Sequence, residues 1–409
     1  MIQLALDHTS KQCHSDLSIT GSKSETNRLL LLQALFPQIS IENKSNSDDS
    51  VAMAKAISSD DALKDIHHAG TAMRFLTAYF SALDKSDIVL TGSQRMQERP
   101  IALLVDALNS IGAKISYLKN DGFPPLKIQG VTLEGGKVAL PANISSQYIS
   151  ALLLVAPKFK KGLELHLEGE ITSLPYIKMT LALLNRIGVS STFEGSVISI
   201  PYQDEIQPQT QIVESDWSSA SYWFSVVALS DASRIRLTNY RADSLQGDAV
   251  LMEIYEQLGV DSSLSEGALI LEKKKDFVLP KHISLHLVEA PDIAQTIAVS
   301  CYGLGVGCTL TGLHTLKIKE TDRLVALQNE LTKVGAELTI DDKSLELQAG
   351  QNFKPHQSIA TYNDHRMAMA FAPLALRCPL LIKDAGVVSK SYPSFWEDIQ
   401  KTGFQLIEK

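Results

Sequence analysis

Residues 104–118 read LVDALNSIGAKISYL. The first half is an amphipathic helix, with Leu104, Val105, Leu108 and Ile111 at helical spacing. Gly112 suits the left-handed position that ends a helix, and the alternation from Ala113 to Tyr117 predicts a strand directly after it. The phrase recurs as TLALLNRIGVSSTF, MEIYEQLGVDSSL, LQNELTKVGAELTI and FWEDIQKTGFQLI. Its glycines, Gly112, Gly188, Gly259, Gly335 and Gly403, are spaced by 76, 71, 76 and 68 residues. A weaker sixth copy, DDSVAMAKAISSD, lacks the glycine. One such phrase is a common helix–turn–strand; five at near-constant spacing predict a repeat of roughly 68 residues.

Each repeat carries a second helix of another kind. NRLLLLQAL, AMRFLTAYF, YISALLLVA, SYWFSVVAL, IAQTIAVSCYGL and MAMAFAPLAL are apolar nearly all round. Such helices must be buried, with the amphipathic partners outside them. The expected fold is therefore α/β (α+β): six units, three per domain, with sheets around buried helices. A length of 409 residues favours two domains. The polar, proline-containing segment EIQPQTQIVESD, residues 205–216, is the expected crossover between them.

Hydrophobic residues at 44% supply ample core, and a net charge of −8 argues against nucleic acid or an anionic membrane as partner. Small anionic substrates remain open, because basic residues can be concentrated locally. Cys13, Cys301, Cys308 and Cys378 form no CxxC pair, which argues against zinc or a disulfide framework and for a reducing compartment. MIQLALDHTSKQ lacks the pattern of a secretory signal, and the apolar stretch 367–382 is too interrupted to span a membrane. A cytoplasmic location is expected.

The apolar helices share one more property: their N-termini open with small polar or charged residues. Free backbone N–H groups and the positive dipole end make these places anion sites. Plain capping is the competing reading, above all for Ser145 and Asp216. Gly21–Arg28, GSKSETNR, brings Lys23, Ser24 and Arg28 to one helix start, with Gly21 expected to allow a tight turn. LTGSQRMQERP, residues 90–100, places Arg95 and Arg99 before a helix, with Pro100 expected in its first turn. KIKETDR, residues 317–323, sets Lys319 and Arg323 four apart, as on one helix face, with Glu320 beside them as an acid–base candidate. Pro291–Asp292 and Asn363–Arg366 each precede an apolar helix; Asp292 reads either as a cap or as a base. His67 and His68 lack further ligands at metal-binding spacing.

GSKSETNR, AGTAMRFL, LTGSQRMQERPI, DGFPPLKIQG, SSQYISALLL, SDWSSASYW, PDIAQTIAV, KIKETDRL and YNDHRMAMAF occur in this order along the chain. With them the whole chain resembles the 5-enolpyruvylshikimate-3-phosphate synthase family. The resemblance implies a two-domain inside-out barrel of six βαβαββ units, with residues 1–19 plus 215–409 as one domain and 20–214 as the other. Crossovers near 20 and 215 and a site in the cleft are implied with it. It implies transfer of the 1-carboxyvinyl group of phosphoenolpyruvate to the 5-hydroxyl of shikimate-3-phosphate, without a cofactor or metal. Lys23, Ser24, Arg28, Ser145, Ser146, Gln147, Ser173, Tyr176, Asp292 and Lys319 would then meet shikimate-3-phosphate. Lys23, Gly70, Arg95, Gln147, Arg323, Arg366 and Lys390 would surround phosphoenolpyruvate. Asp292 would be the base at the hydroxyl, and Glu320 with Lys23 the proton relay at the methylene. A monomer without nucleic-acid or membrane partner is implied, and inhibition by glyphosate, with Gly70 leaving the pocket open.

The chain departs from the family pattern at His68, where Asn is usual, and at Thr315, and its first unit is short between Ile57 and His67. Two alternatives share the fold. UDP-N-acetylglucosamine carboxyvinyl transferases use a loop cysteine that 91–100 lacks. A non-catalytic phosphometabolite-binding protein is expected to have lost Lys23, Asp292 or Glu320, and all three are present.

Overall fold

The computed structural model describes residues 2–143, 145–169, 171 and 174–409. The chain divides into two units, Met1–Thr20 with Glu214–Lys409, and Gly21–Val213. The same motif builds both. A parallel strand pair encloses a buried helix; an outer helix follows, and a hairpin then adds two antiparallel strands.

In the unit Gly21–Val213, Leu63–Asp65 and Asp87–Thr91 are parallel around the helix Gly70–Ala82. The hairpin Lys114–Tyr117/Leu126–Gln129 completes that sheet through Asp87–Thr91. Gly136–Pro141 and Leu163–Glu168 repeat the pattern around Ser146–Val155, completed by Thr192–Glu194 and Val197–Ile200. The third sheet stops at two strands: Gln209–Ile212 pairs in parallel with Ile39–Glu42, and no hairpin joins them. The helix Asp48–Ser58 is followed by the strand Leu63–Asp65. The four residues between them cannot form a hairpin, so the shortening read in the sequence removes half a sheet. Residues 205–216, the expected crossover, are partly strand: Gln209–Ile212 is held by its backbone ladder, which polar side chains do not prevent, and the division between the units falls just after it, at Val213/Glu214.

The other unit has three complete sheets. Gln12–Leu17 and Ala232–Thr238 lie parallel, as do His282–His286 with Gly307–Thr311 and Gln357–Ile359 with Leu380–Ile382. In the last sheet the hairpin is open: Leu4–Asp7 from the N-terminus and Gln405–Glu408 from the C-terminus pair antiparallel.

The six apolar helices are buried as their composition requires. Trp217–Leu229 is buried at every position but Ser218, near its start. It packs against Ala294–Leu304, which also packs against His365–Phe371. Each buried large apolar side chain contributes about 1.5–3 kcal/mol. The hydroxyls in this core satisfy one another, as in Ser300 donating to Ser225 at 2.8 Å, with the Tyr255 hydroxyl 2.8 Å from Ser300. All five repeat glycines have positive φ, from +81° at Gly259 to +107° at Gly335. Among the described residues no helix is long and apolar enough to cross a membrane.

Candidate active site

In the unit that holds both termini, three cationic side chains converge on one carboxylate. Asp292 sits in the single turn Pro291–Ile293 that leads into Ala294–Leu304. Arg323 Nη1 lies 2.7 Å from Oδ1, Lys319 Nζ 3.4 Å from Oδ1, and Arg366 Nη2 3.3 Å from Oδ2. Arg366 Nη1 also donates to the Asp292 carbonyl at 3.0 Å.

Arg323 is buried at the hub. It donates to Asp292, to Glu320 Oε2 at 2.8 Å and, through Nε, to Asp364 Oδ2 at 2.6 Å. Burial alone pulls its pKa down, but Asp364, Glu320 and Asp292 outweigh burial and the nearby Arg366, so the guanidinium is held above its ordinary value. Asp364 caps His365–Phe371 by accepting from Arg366 N at 2.9 Å, so one carboxylate starts the helix and anchors Arg323. Lys390 Nζ donates to the Asn363 carbonyl at 2.7 Å.

The arrangement corrects one expectation. Lys319 and Arg323 do not share a helix face: Asp322 caps the helix by accepting from Leu324 N and Val325 N, so Arg323 is its first residue and 319–322 lie outside it. The two cations meet through Asp292 instead.

In the other unit Lys23 begins the helix Lys23–Leu35, capped by Ser22. Lys23 Nζ stands 3.7 Å from Asp49 Oδ2. Gly21 is needed for close approach and not for a turn: a Cβ there would lie 1.8 Å from the Asn43 carbonyl oxygen, and its φ is not positive. Arg28 is buried and engaged by protein. It donates to Thr180 Oγ1 at 2.8 Å, the Ser24 carbonyl at 2.9 Å, Ser150 Oγ at 3.0 Å and the Tyr176 carbonyl at 3.3 Å. Burial lowers its pKa to about 10. Ser145 caps Ser146–Val155, and Gln147 Nε2 donates to Thr71 Oγ1 at 3.2 Å. Ser173 lies outside the described residues.

Gly70 is the first residue of its helix, and the Arg99 guanidinium lies against it, 2.5 Å from where a methyl would be. The space over Gly70, expected to be open, is thus filled by the end of a flexible side chain. Arg95 is exposed, at 59%, and pairs with Glu98 at 3.4 Å. Pro100 precedes the helix Ala102–Ser110 and is not in its first turn; its carbonyl accepts from Arg74 Nη2 at 3.0 Å. His68 Nε2 lies 3.8 Å from Asp48. Among the described residues no group of three or more His, Cys, Asp and Glu is placed to hold a metal ion.

Three further side chains stand beside these cations: Asp364 bonds Arg323, Ser218 accepts from Arg366, and Asp248 accepts from Ser218. In the sequence Asp364 is one member of the NDHR motif, Ser218 reads as one more small helix-start residue, and Asp248 stands in SLQGDAV, which carries no anion-site signal.

A sequence model of EPSP synthase (3-phosphoshikimate 1-carboxyvinyltransferase) matches residues 55–399. The 3-phosphoshikimate 1-carboxyvinyltransferase of Bacteroides fragilis (strain YCH46) is 44% identical over 401 residues, covering 97% of each chain. The EPSP synthase structure from Acinetobacter baumannii covers 100% of both chains with a TM-score of 0.81 at 21% identity. The enolpyruvyl transferase NikO from Streptomyces tendae covers 100% of this chain and 99% of its own, at a TM-score of 0.77 and 14% identity. These two structures establish a shared fold, and the family match with the Bacteroides relative establishes more: the chain belongs to the EPSP synthase (3-phosphoshikimate 1-carboxyvinyltransferase) family.

Proposed function

We propose that the chain transfers the enolpyruvyl group of phosphoenolpyruvate to the 5-hydroxyl of shikimate-3-phosphate and releases phosphate. By family the chain is a 3-phosphoshikimate 1-carboxyvinyltransferase, acting in the shikimate route to aromatic amino acids. The observation that carries the residue-level proposal is the convergence of Arg323, Lys319 and Arg366 on Asp292.

In this proposal Asp292 takes the hydroxyl proton as the oxygen bonds to C2 of phosphoenolpyruvate. Glu320 with Lys23 delivers a proton to the methylene carbon. The tetrahedral adduct then loses a proton from its new methyl group and expels phosphate. Both substrates are polyanions, and bringing them together costs repulsion that fixed cations offset best where water is scarce. The surroundings of Asp292 fit such work, because its cations can exchange a protein carboxylate for a substrate anion.

Arg323, Arg366, Lys390, Arg95, Gly70, Gln147 and Lys23 are proposed around phosphoenolpyruvate. Lys23, Ser24, Arg28, Ser145, Ser146, Gln147, Ser173, Tyr176, Asp292 and Lys319 are proposed around shikimate-3-phosphate. Arg28 spends four of its five N–H donors on protein, and the fifth, on Nη1, is the one proposed for substrate. The crossovers between the units are proposed near residues 20 and 215. A cytoplasmic monomer completes the proposal; the four described cysteines, all free and buried, suit a reducing compartment.

Phosphate release tests the reaction. Release should require both substrates and should cease when UDP-N-acetylglucosamine replaces shikimate-3-phosphate. Turnover with the nucleotide sugar and none with shikimate-3-phosphate would overturn the proposal. Glyphosate should raise the apparent KM for phosphoenolpyruvate and leave kcat unchanged; inhibition indifferent to phosphoenolpyruvate concentration would count against a shared anion site.

A further inference from the structure

Behind Arg366 stand two side chains that the proposed reaction does not use. Ser218 is the one position of Trp217–Leu229 that is not buried. Its hydroxyl donates to Asp248 Oδ2 in a short bond and accepts from Arg366 Nη2 at 3.3 Å. Asp248 lies in the turn Gly247–Val250 and is 6% exposed. A serine hydroxyl has a single proton. With that proton committed to Asp248, its lone pairs are the part left for Arg366.

We infer that Asp248 and Ser218 are positioning residues that fix the Arg366 guanidinium for phosphoenolpyruvate. The inference rests on the reading of Arg366 as a phosphoenolpyruvate ligand. Arg366 is gripped on one side by the Asp292 carboxylate and carbonyl, at 3.3 Å and 3.0 Å. Ser218 supplies the second hold, and the carboxylate behind it orients the hydroxyl and adds negative potential on the same side. A buried carboxylate is costly to keep. Burial pushes Asp248 up to about 6; Asp292 and Asp216 add to the shift, and Arg366 and the Ser218 hydroxyl oppose it. A residue needed only to fill this space need not carry a carboxyl group, so its chemistry points toward Arg366.

The experiment measures KM for each substrate and kcat in Ser218→Ala, Ser218→Thr, Asp248→Asn, Arg366→Ala and the double variant Ser218→Ala/Arg366→Ala, with thermal midpoints alongside. Ser218→Ala and Asp248→Asn should each raise KM for phosphoenolpyruvate about tenfold, the value of one charge-assisted hydrogen bond. KM for shikimate-3-phosphate should stay within about twofold, and Ser218→Thr should restore most of the loss. Ser218→Ala should add nothing in the Arg366→Ala background, which is the mark of action through Arg366. A KM for phosphoenolpyruvate unchanged in both Ser218→Ala and Asp248→Asn would overturn the inference, as would full additivity in the double variant. If Arg366→Ala itself leaves that KM unchanged, the reading of Arg366 fails and the inference falls with it. A rise in Arg366→Ala alone spares the reading and rejects only the positioning role.

Discussion

Arg323 shows what single residues hold in this molecule. It is buried against Asp292, Glu320 and Asp364, and Asp364 is itself fully buried. Replacing it with alanine leaves these carboxylates without their shared cation, and breaking a buried ion pair costs about 3–5 kcal/mol. Arg323→Ala should therefore lower unfolding stability by that amount in urea titrations; a loss under about 1 kcal/mol would contradict the hub role. Asp248 makes a prediction of opposite sign. Its carboxyl is raised from 3.8 to about 6, so the fold favours the protonated form. Its contribution to stability is present in acid and lost as pH rises through 6. Asp248→Asn has no such loss, so its stability relative to the native chain should improve by up to roughly 3 kcal/mol between pH 4 and pH 7. A difference independent of pH would show that Asp248 is not buried as described.

The repeat glycines govern the elements. A Cβ at Gly188 meets nothing within 4 Å, so Gly188→Ala carries only the cost of a left-handed residue, roughly 1–2 kcal/mol. At Gly335 a Cβ would lie 1.8 Å from the Asn352 carbonyl oxygen, a backbone atom that cannot swing aside. Gly335→Ala should lower the thermal midpoint distinctly more than Gly188→Ala; equal losses would contradict the packing at Gly335. Repeats of this kind are legible in sequence because helix stop, strand and period are all local signals. Less local features are harder to read: the polar segment 205–216 does not announce the strand Gln209–Ile212, because its pairing partner, Ile39–Glu42, lies far back in the chain. Residues 319–323 looked helical by spacing, but the Asp322 cap moves the helix start to Arg323. The strand Ile39–Glu42 is left without a hairpin neighbour, and the charged Glu42 and the positive φ of Asn43, +53°, blunt that edge against further pairing.

At the scale of the whole molecule, a chain of net charge −8 gathers cations at the starts of its buried helices. The family and the cations were legible because each helix start carries its own short motif. Asp292 and Glu320 were legible too; Asp364, Asp248 and the Ser218 hydroxyl were not, because they gain their meaning from distant segments. The proposal gives Lys23 and Asp292 each a part in the reaction. Lys23 belongs to Gly21–Val213, whereas Asp292 belongs to the other unit. Its one described ion pair, to Asp49 at 3.7 Å, is partly exposed and worth little to stability. The steady-state rate of phosphate release by Lys23→Met, with both substrates saturating and the fold confirmed by its thermal midpoint, asks directly whether Lys23 serves the reaction. A drop of at least about a hundredfold with an unchanged midpoint is the result predicted; a rate within a few-fold of the native chain would contradict it.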